Sequence, residues 1–314
     1  MHRSVAGVAC AALVAAVTTS LLMYKRAMAS LQGPSHRRTD PPVPCQDAGF
    51  TDTLPNGMVA IVVSDGAGSS RLSHLASQHC VNTLFSLLQR ADLDTYLHAP
   101  VDGKALEAQW HRDAQALFDR TRTSLLELAA REGATPQELH CTLVLVLRTA
   151  WGFLSANIGD GRAGYHDGAP HALTVPFMTF TAGATYFLVK EGWERIFRSY
   201  VTVPAHPGDV AYFFASTDGP QDYLMDGSSK GPRNGVYDDV LGGEAFYDLN
   251  RPYHPFFDGL IRSLNEVATD EERDERLARL LGEGIYALDG GERVLATLID
   301  PALDDDKTLI LHYR

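Results

Sequence analysis

Acidic side chains recur at the ends of apolar runs along this chain. Asp65 closes the run Met58-Val59-Ala60-Ile61-Val62-Val63-Ser64 and is followed by Gly66, where an unencumbered backbone carbonyl can approach a ligand. Asp218 closes the run 210–217, again with a glycine after it, and Asp222 lies one helical turn beyond. Asp47 stands just before the first core strand, and Asp304-Asp305-Asp306 stand just before the last. One aspartate at a strand end is ordinarily a turn former or a helix cap. Several that converge would repel one another unless cations neutralise them. Hard oxygen donors of this kind suit magnesium or manganese rather than zinc, and no histidine-rich cluster competes for the role.

The elements that must position these residues are read from hydrophobic periodicity. The β-branched stretch 58–63 predicts a strand buried on both faces. Leu72, Ala76, Cys80, Leu84 and Leu88 recur every four residues and predict one face of a helix. A second helix is expected over 104–131, with Leu106, Trp110, Ala114, Leu117, Thr121, Leu125 and Leu128 on one side. Strands are expected at 142–148, 151–157, 162–166 and 210–216, with aromatic-rich runs between 172 and 203. The Gly, Ser and Pro of 227–235 predict a loop. Helices follow at 255–267 and 270–281, and a strand at 308–313 closes the chain. No internal repeat and no long linker divides it, which predicts one domain.

The chain has 314 residues, with 27 Lys and Arg against 39 Asp and Glu, a formal charge of −12. That balance argues against a nucleic-acid partner, which would need a basic stripe. With 45% hydrophobic and 21% charged residues the composition is that of a folded protein, not a disordered one. Cys10, Cys45, Cys80 and Cys141 form no CxxC pair, so no zinc knuckle, redox motif or disulfide framework is signalled, and a reducing cytoplasm is expected. Residues 5–24 form an apolar run between Arg3 and Lys25-Arg26. It reads as a membrane anchor with the remainder cytoplasmic, as a signal peptide with Ala27-Met28-Ala29 as the cleavage site, or as upstream sequence if translation starts at Met23 or Met28. The expected division is an extension over 1–26 and a folded domain over 27–314. Gly66-Ala67-Gly68-Ser69-Ser70-Arg71 lies between a strand and a helix, as a dinucleotide fingerprint would. Arg71 stands where the third glycine belongs, so a nucleotide-dependent oxidoreductase is the distant reading. P-loop and HExxH signatures are missing from the sequence.

Six segments, taken in order, resemble the metal-dependent serine/threonine protein phosphatases of the type 2C family, in its bacterial branch. They are Cys45-Gln46-Asp47-Ala48, Val63-Ser64-Asp65-Gly66-Ala67-Gly68-Ser69, Cys141-Thr142-Leu143-Val144, Ala156-Asn157-Ile158-Gly159-Asp160-Gly161-Arg162, Ser216-Thr217-Asp218-Gly219 and Asp305-Asp306-Lys307-Thr308-Leu309. The resemblance runs from about residue 29 to the carboxyl end. It implies an α+β fold, a four-layer α/β/β/α sandwich of two antiparallel sheets flanked by helices. It also implies hydrolysis of phosphoserine and phosphothreonine by a hydroxide bridging two divalent cations, Mn2+ or Mg2+, with a third, weaker site. Asp65 would bridge both ions, Asp218 and Asp305 would hold one, the carbonyl of Gly66 the other, and Asp47 would bind through a water. Asp222 matches the third-ion position, and Glu138 is a further candidate there. Asp65 and Asp218 are the expected catalytic residues, and Gly159-Asp160-Gly161-Arg162 reads as a structural turn that braces the site.

Departures from the family pattern suggest a second possibility. Gln46 stands where many relatives have Glu, Ala67 where some carry a histidine proposed as general acid, and neither Arg37 nor Arg38 aligns with the phosphate-gripping arginine of eukaryotic members. The alternative is therefore a catalytically weak phosphatase-fold module that binds a signalling partner. As an enzyme, the chain would act on a phosphorylated protein, opposite a partner serine/threonine kinase.

Overall fold

The β-branched runs of the sequence pair with one another. In the computed structural model, which describes residues 24–179, 185–226, 236–238, 243–247, 250–283, 285–289, 292–296 and 305–314, ten strands form two antiparallel five-stranded sheets. The strands in chain order are β1 (Lys25–Leu31), β2 (Ala48–Thr53), β3 (Val59–Ser64), β4 (Leu143–Arg148), β5 (Phe153–Ile158), β6 (Arg162–His166), β7 (Pro170–Ala172), β8 (Arg198–Thr202), β9 (Tyr212–Ser216) and β10 (Lys307–Tyr313). One sheet has the order β2-β3-β4-β5-β8 and the other β1-β10-β9-β6-β7. Helices α1 (Ser73–Leu88) and α2 (Gly103–Arg131) cover the first sheet; α3 (His254–Leu264) and α4 (Asp270–Glu283) cover the second.

Side-chain alternation sorts each strand between two apolar layers. Ala60 and Val62 face α1 and α2, together with Leu143, Leu145 and Leu147. Ile61 and Val63 face the other way, with Val144 and Val146, and meet Ala163, Phe213, Ala215 and Ile310 of the second sheet. A third layer joins Phe214, Leu309 and Leu311 to Phe257, Leu260 and Leu277 of the outer helices. Strands β3 and β4 are thus buried on both faces although their sheet is antiparallel, because helices cover one side and a second sheet the other. The four-residue helical repeat holds: Ala76, Cys80, Leu84 and Leu88 are all buried. Helix α2 begins where Asp102 accepts the Ala105 N–H at 3.1 Å.

Periodicity missed β2 and placed β8 only within the aromatic-rich runs expected between 172 and 203. β2 reads AGFTDT and β8 reads RSYVT; each is an edge strand with much of its surface half-exposed, so neither needs a hydrophobic run. β1 starts at Lys25, two residues before the expected boundary. Tyr24 already belongs to the fold, its hydroxyl donating to the Val210 carbonyl at 2.7 Å and its ring edge-on to Phe213. Helix α4 covers the β1 edge: the Met28 N–H donates to Asp274 at 2.7 Å, and Arg26 pairs with the same carboxylate at 3.1 Å. The apolar stretch before Tyr24 and the loop at 227–235 lie outside the described residues. No described helix is long and apolar enough to cross a membrane.

His312 of β10 is buried between the sheets, 2.8 Å from the Thr51 hydroxyl and stacked on Phe213. Burial pushes its pKa down to about 3. Between that value and the ordinary histidine range the unfolded chain holds the extra proton, so acid favours unfolding. Replacing His312 by Gln should remove a pH-dependent loss of about 2 kcal/mol between neutrality and pH 5. Denaturant titrations of both proteins at the two pH values check this; equal pH slopes would contradict it.

Candidate metal centre

In an antiparallel sheet, a residue just past the end of one strand lies near the residue just before its neighbour. Ala48 pairs with Ser64, which places Asp47 and Asp65 side by side at the end of β2 and β3. Ser216 pairs with Leu309, so Asp218 and Asp305 flank the corresponding end of β9 and β10. Gly159-Asp160-Gly161 carries the chain from β5 of one sheet to β6 of the other. Aspartates from both sheets therefore converge at one end of the sandwich. Carboxylate oxygens of Asp65, Asp160 and Asp218 lie within 4.8 Å of one another. Asp47 and Asp160 are each 8% exposed, whereas Asp65 and Asp218 are partly open to solvent.

Glycines permit the close approach. Gly159 has φ of +92°, and a Cβ there would sit 2.5 Å from the Thr142 methyl. A Cβ on Gly66 would lie 2.6 Å from the Ser73 carbonyl oxygen. Backbone pairing then fixes Asp65. Its N–H donates to the Thr142 hydroxyl at 3.0 Å and its carbonyl accepts the Thr142 N–H at 2.8 Å. The next bond of this ladder, from the Ala67 N–H to the His140 carbonyl at 3.0 Å, leaves the Gly66 carbonyl out of the pairing. Across the sheets, the Thr217 hydroxyl donates to Asp47 at 2.6 Å and accepts the Thr308 N–H at 3.0 Å.

The electrostatics are those of a crowded anionic cleft. Burial pushes the Asp47 pKa up to about 7, assisted by the charges of Asp306 and Asp305, against the lowering effect of Thr217. Burial also drives Asp65 and Asp218 well above the carboxylate range, with Asp218, Asp47, Asp160 and Asp305 acting on the first and Asp160, Asp305 and Asp47 on the second. Asp160 is raised by burial and by Asp305, and held back by Arg162. That arginine is 2% exposed and donates to Gln221 at 3.0 Å.

The expected residues fall into three groups. Asp65 and Asp218 belong to the trio, Asp47 lies beside Asp65, and Asp305 stands exposed at the rim, close enough for its charge to reach all three. Asp222 belongs to the short helix Gln221–Leu224, with its side chain outside the described residues. Asp160 corrects the reading of Gly159–Arg162 as a mere brace, because its carboxylate is a member of the central trio; the glycine on each side of it was the available signal. Glu138 does not join the centre: it caps Thr135 and pairs with Arg71 at 2.6 Å on the surface. Asp306, neighbour of Asp305, is a structural clip that accepts the Gly33 and Gln46 N–H groups and pairs with His36 at 3.0 Å. Arg37 is engaged by the Gln32 carbonyl. Gln46 donates through Nε2 to Ser73 at 2.7 Å.

Buried carboxylates that crowd this closely, with only partial relief from Arg162, fit hard divalent ions. The sign of the pKa shifts makes the fit testable. Groups raised in the folded state stabilise it at low pH and lose that contribution as pH rises through the folded value. With the opposite trend of His312 removed by the Gln replacement, the metal-free protein should melt progressively lower as pH rises from about 4 to about 7, the Asp47 value, and saturating Mn2+ should flatten the upper end of the trend. Thermal melts with and without the ion check this; a flat metal-free profile would contradict it.

Known proteins share this family and fold. The family described as Protein phosphatase 2C matches residues 32–282. The serine/threonine phosphatase Stp1 from Staphylococcus aureus superposes with a TM-score of 0.53 at 16% identity, over 93% of this chain and 95% of that one. A serine/threonine phosphatase from S. agalactiae gives 0.53 at 13% identity, over 92% and 99%. No curated protein matches the chain.

Proposed function

The chain belongs to the protein phosphatase 2C family, whose members are protein serine/threonine phosphatases dependent on Mn2+ or Mg2+, and on that premise we propose that the aspartate cluster is its catalytic centre. The observation that carries this reading is the meeting of Asp65, Asp160 and Asp218 within 4.8 Å at the end of the two sheets. The substrate would be a phosphoserine or phosphothreonine of another protein, and the domain doing the work would be 27–314.

Asp65 would be shared by two divalent ions, with Asp218 and Asp305 serving one and the Gly66 carbonyl the other. Asp47 would act through water, and Asp222, beside Asp218, would serve a weaker third site. The chemistry such ions would supply there is a water acidified into the neutral range and withdrawal of charge from phosphoryl oxygens. The residues of the chain do the rest. Thr217 orients Asp47, Thr142 fixes the backbone of Asp65, and Arg162 offsets part of the negative field on Asp160 and Asp218. A phosphate dianion can approach this cleft once its carboxylates are neutralised. A partner kinase would supply the phosphoprotein.

Gln46 and Ala67 favour the second reading, a weak enzyme that binds a signalling partner, and one assay separates the two. Hydrolysis of p-nitrophenyl phosphate should require Mn2+ or Mg2+ and stop with a chelator. Outer-shell partners of a metal typically cost ~10–100-fold when lost, so Asp65→Asn, which changes a direct ligand, should cost more than ~100-fold in kcat without altering the circular dichroism spectrum. A folded, metal-loaded protein with no turnover would contradict the phosphatase reading and leave the binding module.

A further inference from the structure

Breaking a phosphoserine ester leaves an alkoxide, a strong base that needs a proton as the bond to phosphorus parts. The carboxylates of the centre are committed to cations in the proposed reading, on which this inference rests. One imidazole is placed to supply the proton. The register that pairs Val63 with Val144 continues past the end of β3, through Gly66 opposite Cys141. It sets Asp65 opposite Thr142 and Ala67 opposite His140. Val63 and Val144 face the space between the sheets, and Leu143 faces the helices. By alternation Asp65, Thr142, Ala67 and His140 all present their side chains to the inter-sheet side, where the aspartates meet. Cys141, between them, faces the helices and packs 3.6 Å from Cys80 of α1.

The neighbouring segment confirms this face. Leu188 donates its N–H to the Cys141 carbonyl at 3.0 Å, and Tyr186 and Leu188 are buried against the helices. Thr185 and Phe187 therefore point the other way. Thr185 stands beside Asp160, and the Phe187 ring stacks on His140 with centroids 4.5 Å apart and planes 10° from parallel. His140 is thus half-buried on the same side of the sheet as the aspartates, stacked flat on Phe187 and opposite Ala67, whose side chain is a single methyl group. Among the described residues nothing hydrogen-bonds its ring nitrogens, so they are available to a substrate. Burial and the charge of Lys190 lower its pKa below the ordinary histidine value.

We propose that His140 is a further catalytic residue, the donor of the proton that the leaving serine or threonine oxygen takes up. Water oxygen forms the new bond to phosphorus and gives up one of its protons to solvent, while the bond from phosphorus to the side-chain oxygen breaks. The electron pair of that bond stays on the departing oxygen, which receives the His140 proton; solvent reprotonates the ring. Alcohol and inorganic phosphate are the products, and no other reactant is consumed.

The test compares leaving groups. p-Nitrophenolate is a weak base that departs without help, and a serine alkoxide is not. With metal-loaded protein, His140→Gln should lower kcat on a phosphoserine peptide by ~10²–10³, the usual size of a lost general acid. That loss should exceed the loss on p-nitrophenyl phosphate at least tenfold, with KM for the peptide little changed. Phe187→Leu, which keeps the imidazole but frees it, should show the same selectivity at smaller size, and it covers the case in which His140→Gln does not fold. Equal losses on the two substrates, or none, would overturn the inference. Wild-type protein inactive toward both would overturn the phosphatase reading as well, an outcome distinct from equal losses.

Discussion

Mutual repulsion among aspartates that share one poorly solvated cleft is the constraint to which the rest of this fold answers. Burial and like charge push Asp47, Asp65, Asp160 and Asp218 above the ordinary carboxylate range, and Arg162 is a partial counterweight to two of them. Such an arrangement stores unfavourable energy unless protons or cations relieve it. It persists because the chain leaves it no freedom. Each aspartate sits within two residues of a strand end whose register is fixed by a paired neighbour, and the two sheets are joined by an apolar layer running from Val63 and Val144 to Ala215 and Ile310. Packing far from the site thus supplies the force that holds the charges together.

The joint between the sheets is polar at the site and apolar elsewhere. Thr217 reaches from β9 to Asp47 while Thr308 of β10 holds the same hydroxyl. Asp306 takes the Gln46 N–H, one residue from Asp47, together with the Gly33 N–H just beyond β1. A short network of side chains therefore fixes how the end of one sheet meets the end of the other. Both residues adjoin candidate ligands in sequence, Thr217 beside Asp218 and Asp306 beside Asp305. In each pair one residue faces the centre and its neighbour locks the strand.

Much of this was legible in the sequence, for physical reasons that differ between elements. The 58–63 run and the four-residue repeat from Ala76 to Leu88 are loud because those elements are buried, and burial demands apolar side chains. β2 and β8 are quiet because edge strands are half-wet. Periodicity alone did not distinguish a sheet buried by helices on both sides from one buried by a helix layer and a second sheet; the six-segment resemblance carried that step. Asp65 and Asp218 stood out as strand-end aspartates followed by glycine. Asp160 did not, because Gly-Asp-Gly is also what a tight turn needs, and its membership of the centre depends on a crossing between sheets that local sequence does not encode. His140 was silent for the same reason: its neighbours Ala67 and Phe187 are distant in the chain and meet through register.

The most direct measurement of the central claim is anomalous diffraction from crystals of the protein grown with Mn2+. Strong manganese peaks among Asp65, Asp160 and Asp218, reaching the Gly66 carbonyl and Asp305 at the rim, are what this account predicts. Ordered aspartates with no manganese between them, or manganese bound elsewhere on the surface, would contradict it.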